Sequence, residues 1–138
     1  MELSKSHRAY FKAAKAMSDI SEFKQHHIGA VAVSGHKIIS SGYNSNKTNP
    51  IQKRLNIHRF DVDTPATIHA EVACLLPLIN RKDINFSDVS LYIYREYKNG
   101  SPALSKPCPS CMALIRQLGI RKLYYSGDNS YVNEELIY

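Results

Sequence analysis

A chain of 138 residues with 43% hydrophobic and 22% charged residues has the composition of an ordinary globular domain, not of a disordered or membrane-spanning chain. Its 18 Lys and Arg against 12 Asp and Glu give a formal net charge of +6, which favours anionic partners such as nucleotides or nucleic acid. An odd number of cysteines, three, argues against a disulfide framework and for metal or thiol chemistry.

No apolar stretch reaches the length of a membrane-spanning helix, and the charged opening MELSKSHRAY lacks the pattern of a signal peptide. A chain of this length buries enough apolar surface to fold without disulfide bonds. We therefore expect a single domain over residues 1–138 that is cytoplasmic and makes no membrane contact.

Residues 5–20 have the spacing of an amphipathic surface helix. The predicted apolar face consists of Tyr10, Ala13, Ala14, Met17 and Ile20. A basic ridge on another face consists of Lys5, Arg8, Lys12 and Lys15. We interpret this ridge as a solvated surface, and contact with phosphate is the alternative.

The stretch HHIGAVAVSGHKIISSGYN contains two apolar runs around Ser34, Gly35 and His36 and predicts a β-hairpin. Residues 44–63 then show no periodicity, and an irregular loop of that length inside a compact domain is usually functional. The cations of this basic loop considered for binding a substrate phosphate are Lys47, Lys53, Arg54 and Arg59. A merely solvated loop is the alternative.

The stretch TIHAEVACLL predicts a helix with Thr64 or Thr67 as its N-cap, and Pro77 should end that helix early. Two ionisable residues, His69 and Glu71, stand at the front of its apolar run. Burying either side chain without a partner is costly, so compensating groups are expected nearby.

Two further strands and a helix complete the predicted order α-β-β-α-β-α-β. VSLYIYREY (89–97) and KLYYS (122–126) are strands, and SKPCPSCMALIRQLGI (105–120) is a turn that leads into a helix. The strand–helix–strand spacing implies a parallel portion of sheet covered by helices. Any further strand within YVNEELIY should return antiparallel.

Cys108 and Cys111 stand three positions apart where the last helix begins, which puts both sulfurs on one side of its first turn. His69 begins the preceding helix, and successive helices of a parallel unit can present their N-termini at the same sheet edge. One nitrogen and two sulfurs predict a zinc site with an open fourth position, typical of catalytic zinc. The alternative is a closed structural site completed by Cys74. Because Cys74 lies about 140° around the helix from His69, we predict it to be a core residue.

Glu71 is predicted to lean over the open coordination position. A carboxylate beside zinc-bound water can take its proton and pass it on. We therefore interpret the two front residues of this helix as a metal ligand and a proton shuttle. The remaining histidines have no partner at ligand spacing and are interpreted as surface or locally bonded residues: His7, His26, His27, His36 and His58.

The motifs HAE, ending at Glu71, and PCPSC, ending at Cys111, give the chain a resemblance to the zinc-dependent cytidine and deoxycytidylate deaminase superfamily. The element order and the GYN ending at Asn44 extend this resemblance over nearly the whole chain. It implies a three-layer α/β/α fold with a mixed sheet of four to five strands. It also implies hydrolytic deamination, in which zinc hydroxide attacks the carbon bearing the amino group while Glu71 moves the protons.

The resemblance assigns roles to matching positions. It implies one zinc ion per chain, held by His69, Cys108 and Cys111, with Glu71 as the catalytic residue, and it suggests a homo-oligomer. The implied substrate contacts are the Asn44 side chain with a sugar hydroxyl, the Ala70 N–H and the Lys106 carbonyl with the base edge, and Tyr124 beside the base. A turn role for Asn44 and a core or surface role for Tyr124 are the alternatives.

The sequence is compatible with three functions. The favoured one is deamination of a free cytosine nucleoside or nucleotide, a small-molecule substrate whose monophosphate is read by the basic loop. The second is a deaminase of cytosine or adenine in RNA or single-stranded DNA, with the positive charge as a backbone track. The third is a catalytically silent zinc-binding module, against which the intact Glu71 argues. Residues 96–106 lengthen the usual family spacing and are expected either to wall the pocket or to form a passive hairpin.

Overall fold

Five strands form one mixed sheet in the computed structural model, which describes residues 2–23, 25–59 and 65–138. The strands are β1 (Ile28–Ser34), β2 (Lys37–Tyr43), β3 (Ser90–Arg95), β4 (Lys122–Gly127) and β5 (Ser130–Glu135). Their order across the sheet is β2-β1-β3-β4-β5. β3 and β4 run parallel, whereas the other neighbouring pairs are antiparallel. The predicted hairpin, the parallel portion and the antiparallel last strand are confirmed.

Helices cover both faces of the sheet. Within the described residues they are α1 (Lys5–Ile20), α2 (Pro50–Leu55), α3 (Ala70–Leu75) and α4 (Pro109–Leu118). α1 packs on β1 and β3 on one face, while α3 packs on β1 and β2 on the other. The predicted three-layer α/β/α arrangement is therefore confirmed. None of these helices is both long enough and apolar enough to cross a bilayer.

The alternation of side chains along each strand produces two separate cores. On β3, Leu91 and Ile93 face the layer that contains α3 and α4, where the larger apolar cluster lies. The intervening Tyr92 and Tyr94 face α1. Neighbouring residues of one strand therefore belong to opposite sides of the sheet.

The buried face of α1 differs from the predicted one. Phe11, Ala14 and Ser18 are buried, whereas Ile20 of the predicted apolar face is 53% exposed. The ring of Phe11 packs edge-on against Tyr92, with 5.3 Å between the ring centroids. This large aromatic contact sets the rotation of the helix on the sheet.

The basic loop contains regular structure that the sequence pattern did not predict. α2 lies within it, followed by a 3-10 turn over Asn56–Arg59. The Asn49 side chain accepts hydrogen bonds from the N–H groups of Ile51 and Gln52, and Pro50 occupies the first turn. Such an N-cap followed by proline is a strong helix start, even for a helix too short to show periodicity. Residues 60–63 of the loop lie outside the described residues.

The start of α3 also corrects the prediction. His69 itself is the N-cap, whereas Thr67 forms an isolated bridge with Thr48, and the other suggested cap, Thr64, lies outside the described residues. The predicted early end at Pro77 is confirmed, because α3 gives way to a 3-10 turn over Leu76–Leu78.

Gly42 on β2 allows α3 to approach the sheet closely. A Cβ atom at this position would lie 2.4 Å from the backbone nitrogen of Cys74 and 2.8 Å from the carbonyl oxygen of Ala70. Both distances are too short for real contacts, so a side chain here would push the helix away. The missing side chain thus sets the height of α3 above the sheet.

Candidate active site

Two helix starts bring the predicted metal ligands together. His69 and Cys108 are the N-caps of α3 and α4, and Cys111 lies in the first turn of α4. His69 Nδ1 is 3.2 Å from Cys111 Sγ and 3.5 Å from Cys108 Sγ. The three donor atoms lie within 4.8 Å of one another. One nitrogen and two sulfurs at this spacing fit three corners of a tetrahedral zinc site.

The pKa values of the two cysteine thiols are shifted in opposite directions. A hydrogen bond from the Cys111 thiol, assisted by the neighbouring His69, lowers the pKa of Cys108 to about 3. The same hydrogen bond, together with burial, raises the pKa of Cys111 well above its usual value. A metal that binds here therefore displaces the Cys111 proton, so binding and proton release are linked.

A chain of buried amides ties the two helix starts to α2. The His69 N–H donates to Gln52 Oε1 at 3.0 Å, and Gln52 Nε2 donates to Asn56 Oδ1 at 2.9 Å. The hydroxyl of Ser110, between the two cysteines, donates to the same Asn56 oxygen at 3.0 Å. We call Gln52, Asn56 and Ser110 the amide chain. Because all its members are buried, it holds the His69 backbone at the start of α3 and the Ser110 side chain in the first turn of α4.

Glu71 lies in the first turn of α3 and is only 5% exposed. Burial raises the pKa of its carboxyl above the ordinary value, even though the charge on His69 opposes this shift. A carboxyl with a raised pKa exchanges protons more readily near neutral pH. Glu71 therefore has the environment of a general acid–base residue.

A cavity of about 310 Å³ opens over this cluster. His69, Glu71 and Cys108 line it, together with three of the predicted substrate contacts: Asn44, Ala70 and Lys106. Its volume is at the lower end of the range of small-ligand pockets. Both interpretations of residues 96–106 hold in part: Glu96 and Pro102 close a hairpin through an isolated antiparallel bridge, and residues 104–106 line the cavity.

Tyr124 does not reach the cavity, so its predicted place beside the base is wrong. Its ring stacks on Tyr92 with centroids 4.5 Å apart and packs beside His7 of α1. The neighbours Leu123 and Tyr125 face the α3 and α4 layer, and strand alternation turns Tyr124 to the opposite face.

Asn44 is 4% exposed and has structural contacts as well as a place in the cavity wall. Its Oδ1 accepts hydrogen bonds from the Ser21 hydroxyl at 2.7 Å and the Ile28 N–H at 2.9 Å. Its Nδ2 donates to the His26 carbonyl at 2.9 Å. Asn44 thus anchors Ser21, His26 and Ile28, and its second amide hydrogen has no acceptor among the described residues.

The cations at the cavity differ from those predicted. Of the basic-loop candidates, Arg59 lines the cavity, whereas Lys47, Lys53 and Arg54 do not. Arg95 lines it too, although no sequence motif marks it as a cavity residue. Its position at the carboxyl end of a predicted parallel strand could have identified it, because ligand sites of α/β sheets lie at that edge. The cavity residues Phe23, Gln25 and His26 were missed as well, because no motif marks them.

Cys74 stays apart from the cluster. It is fully buried in the core, and burial raises the pKa of its thiol to about 12. The only group of three or more metal-ligating side chains found within residues 2–23, 25–59 and 65–138 is His69, Cys108 and Cys111. The prediction of Cys74 as a core residue is therefore confirmed.

Comparisons with known proteins agree with this geometry. Residues 4–127 match the family described as the cytidine and deoxycytidylate deaminase zinc-binding region. The dCMP deaminase of cyanophage S-TIM5 in its apo form is similar in structure, with a TM-score of 0.62, 24% identity, and coverage of 91% of this chain and 84% of that one. Its complex with dCMP and dUMP gives a TM-score of 0.63 at 22% identity, covering 91% and 83% of the two chains.

A cytidine deaminase from Burkholderia pseudomallei is also similar, with a TM-score of 0.63, 18% identity, and coverage of 94% of this chain and 91% of that one. At these identities the structural likeness establishes the shared fold. No curated protein matches the chain.

Proposed function

Because the chain belongs to the cytidine and deoxycytidylate deaminase zinc-binding family, we propose that it catalyses the hydrolytic deamination of cytosine in a free nucleoside or nucleotide. The observation that supports this proposal most strongly is that the His/Cys/Cys cluster and the buried carboxyl of Glu71 lie at the same cavity. A zinc-binding module without catalytic activity would not need a buried carboxyl beside its metal site.

His69, Cys108 and Cys111 would hold one zinc ion, since their donor set and spacing fit that metal. Bound zinc lowers the pKa of a coordinated water molecule to about 7. Metal binding through Nδ1 also leaves the ring hydrogen on Nε2, which at present lies 3.4 Å from Arg59 Nη1. A protonated Nε2 cannot accept from Arg59, so that guanidinium becomes available to the cavity.

Glu71 moves the protons of the reaction. Its carboxylate accepts a proton from the attacking water and delivers it to the ring nitrogen of cytosine. Water oxygen bonds to the carbon that bears the amino group, the carbon–nitrogen bond breaks, and a second proton passed through Glu71 leaves with ammonia. The product is the corresponding uracil compound.

Other residues of the cavity orient the substrate. The Ala70 N–H and the Lys106 carbonyl would read the base edge, and the second amide hydrogen of Asn44 would meet a sugar hydroxyl. These contacts select cytosine by hydrogen bonding rather than by shape alone.

Several observations favour a small substrate over a polynucleotide. The cavity has the volume of a small-ligand site, and the cyanophage dCMP deaminase, which has a similar fold, forms a complex with dCMP and dUMP. The basic ridge of α1 lies in the layer on the opposite side of the sheet from α3 and α4. Within that ridge Lys15 is already paired with Asp19 and Glu96.

The test is incubation of the zinc-loaded protein with cytosine and adenine nucleosides, nucleotides and single-stranded oligonucleotides, followed by product identification. We expect uracil products from free cytosine compounds. Absence of deamination across the whole panel would refute the proposed function.

The matched control is Glu71→Gln, which keeps the side-chain size and the zinc ligands. It should retain zinc and fold but lose turnover by at least about 10² to 10⁴, the usual contribution of general acid–base catalysis. Undiminished turnover in zinc-loaded Glu71→Gln would remove the assigned role of this residue.

A further inference from the structure

Residues 96–106, which we call the inserted segment, turn back through a bridge between Glu96 and Pro102 and place residues 103–106 as a wedge between the ends of β3 and β4. The pairing of β3 with β4 ends at Ile93 and Tyr125. Beyond that point the Ala103 N–H donates to the Arg95 carbonyl at 2.9 Å, and the Ser105 N–H donates to the Ser126 carbonyl at 2.8 Å. The returning limb of the segment therefore extends the sheet between the two strands.

A pair of buried hydroxyls locks this wedge. Ser105 Oγ and Ser126 Oγ lie 2.8 Å apart. Ser126 Oγ also accepts from the Arg95 N–H at 3.1 Å and lies 2.7 Å from the Ala103 carbonyl. Because both serines are buried, water does not compete for these bonds, and the wall of the cavity has a defined position.

Asp128, in the turn after β4, fastens the outer part of the same segment. One carboxylate oxygen, Oδ1, accepts from the Tyr97 hydroxyl at 2.6 Å and from the Leu104 N–H at 3.1 Å. We call these three residues the clasp. The clasp joins the outgoing and returning limbs of the inserted segment to the sheet.

The clasp orients the residue that borders Arg95. Leu104 is held at its N–H by Asp128, and its carbonyl faces Arg95 Nη1 at 3.5 Å. Arg95 makes no ion pair within the described ranges, whereas the neighbouring cation Lys106 is paired with Glu134. The nearest carboxylate in sequence, Glu96, is engaged by Lys15. Arg95 therefore presents its charge to the cavity that it lines.

We propose that Arg95 is the specificity-determining residue that binds the 5′-phosphate of a cytosine nucleotide, and that the clasp is the device that positions it. This inference rests on the proposed function. A guanidinium pairs with phosphate through two parallel N–H donors, so its orientation matters more than that of a lysine. Tyr97 and Asp128 act only as positioning residues, because they touch Arg95 through Leu104.

The experiment compares kcat and KM for dCMP and for deoxycytidine in Arg95→Gln and Tyr97→Phe. In Arg95→Gln the ratio of kcat/KM for dCMP to that for deoxycytidine should fall about 10- to 100-fold, through KM. In Tyr97→Phe the same ratio should fall about threefold, because one positioning hydrogen bond is lost. The control is Tyr138→Phe, which removes a hydroxyl that donates to the Ile120 carbonyl outside the cavity and should leave the ratio unchanged.

A second readout is independent of turnover. Hydrogen exchange at the Leu104 amide should quicken in Tyr97→Phe and stay at its normal rate in Tyr138→Phe. Equal losses for both substrates in Arg95→Gln, or a loss in kcat alone, would overturn the phosphate assignment. An unchanged ratio in Tyr97→Phe would overturn the positioning role.

Failure of the proposed function is distinguishable from failure of this inference. If the wild-type protein deaminates neither compound, the proposed function fails by itself. Calorimetric titration of dCMP into wild-type protein and Arg95→Gln then decides the inference. Weaker binding in the variant supports the phosphate contact, and equal affinity, or no binding to either protein, refutes it.

Discussion

His69 and Cys108 occupy equivalent positions in two different helices. Each is an N-cap residue, yet neither side chain makes a capping hydrogen bond. The imidazole and the thiol are therefore free to bind a metal, and the dipole of α4 favours a thiolate at Cys108. The loss of capping energy is typical of residues retained for chemistry rather than stability.

The first prediction separates the two classes of cysteine. Cys108→Ala should abolish stoichiometric zinc binding, because it leaves only two ligands. Cys74→Ala should keep zinc and lower only the free energy of unfolding, by about 1 kcal/mol, because it removes a buried sulfur from the core. Metal analysis of the purified variants, with thermal unfolding beside it, makes the comparison. Equal zinc loss in both would show that Cys74 belongs to the metal site.

The sequence predicts the His/Cys/Cys cluster well and the cavity walls poorly, for a physical reason. A ligand at the start of a helix is marked by its own chemical type and by local spacing, so His69 and Cys108 stand out. Tyr124 and Arg95 depend instead on which face or end of the sheet they occupy. The face that a strand residue occupies depends on the strand register, and a shift of one residue moves its side chain to the opposite face.

Among the secondary-structure elements, α2 carries cations of the basic loop and also connects the starts of α3 and α4. Gln52 of α2 accepts a hydrogen bond from the His69 N–H at the start of α3, and Asn56, directly after α2, accepts one from the Ser110 hydroxyl in α4. These are the two helices that carry the candidate metal ligands. A six-residue helix has little stability of its own. Its packing against α4 and the buried hydrogen bonds of Gln52 therefore hold it in place, which explains why a search for periodicity misses it.

The next prediction tests the amide chain. Asn56→Ala leaves Gln52 Nε2 and the Ser110 hydroxyl buried without an acceptor, which costs about 1–3 kcal/mol for each group. Zinc affinity should fall about 10-fold or more, as it does when groups that orient metal ligands are removed. Chelator competition measures the affinity, and Asn80→Ala, an exposed site, is the control. Unchanged zinc affinity in a destabilised Asn56→Ala would limit the amide chain to a role in folding.

For the whole molecule, the formal charge of +6 does not by itself identify the substrate. The cations are distributed over two layers: the ridge of α1 lies on one side of the sheet, and Arg59 and Arg95 meet at the cavity associated with the other side. A continuous track for a polynucleotide requires several aligned cations, whereas one phosphate requires one or two. This separation favours a single nucleotide as the substrate.

The last prediction follows from that distribution. With a cytosine mononucleotide, apparent affinity should depend only weakly on salt and should be controlled by Arg59 and Arg95. A polynucleotide bound along a track would instead lose about 0.7 log units of affinity per contacted phosphate for each log unit of salt. The measurement is deamination of dCMP and of a cytosine-containing oligonucleotide across a salt series. The ridge variant Lys12→Gln should leave dCMP turnover unchanged. Turnover of the oligonucleotide alone, with a steep salt slope that Lys12→Gln reduces, would show that the ridge and the cavity act together on nucleic acid.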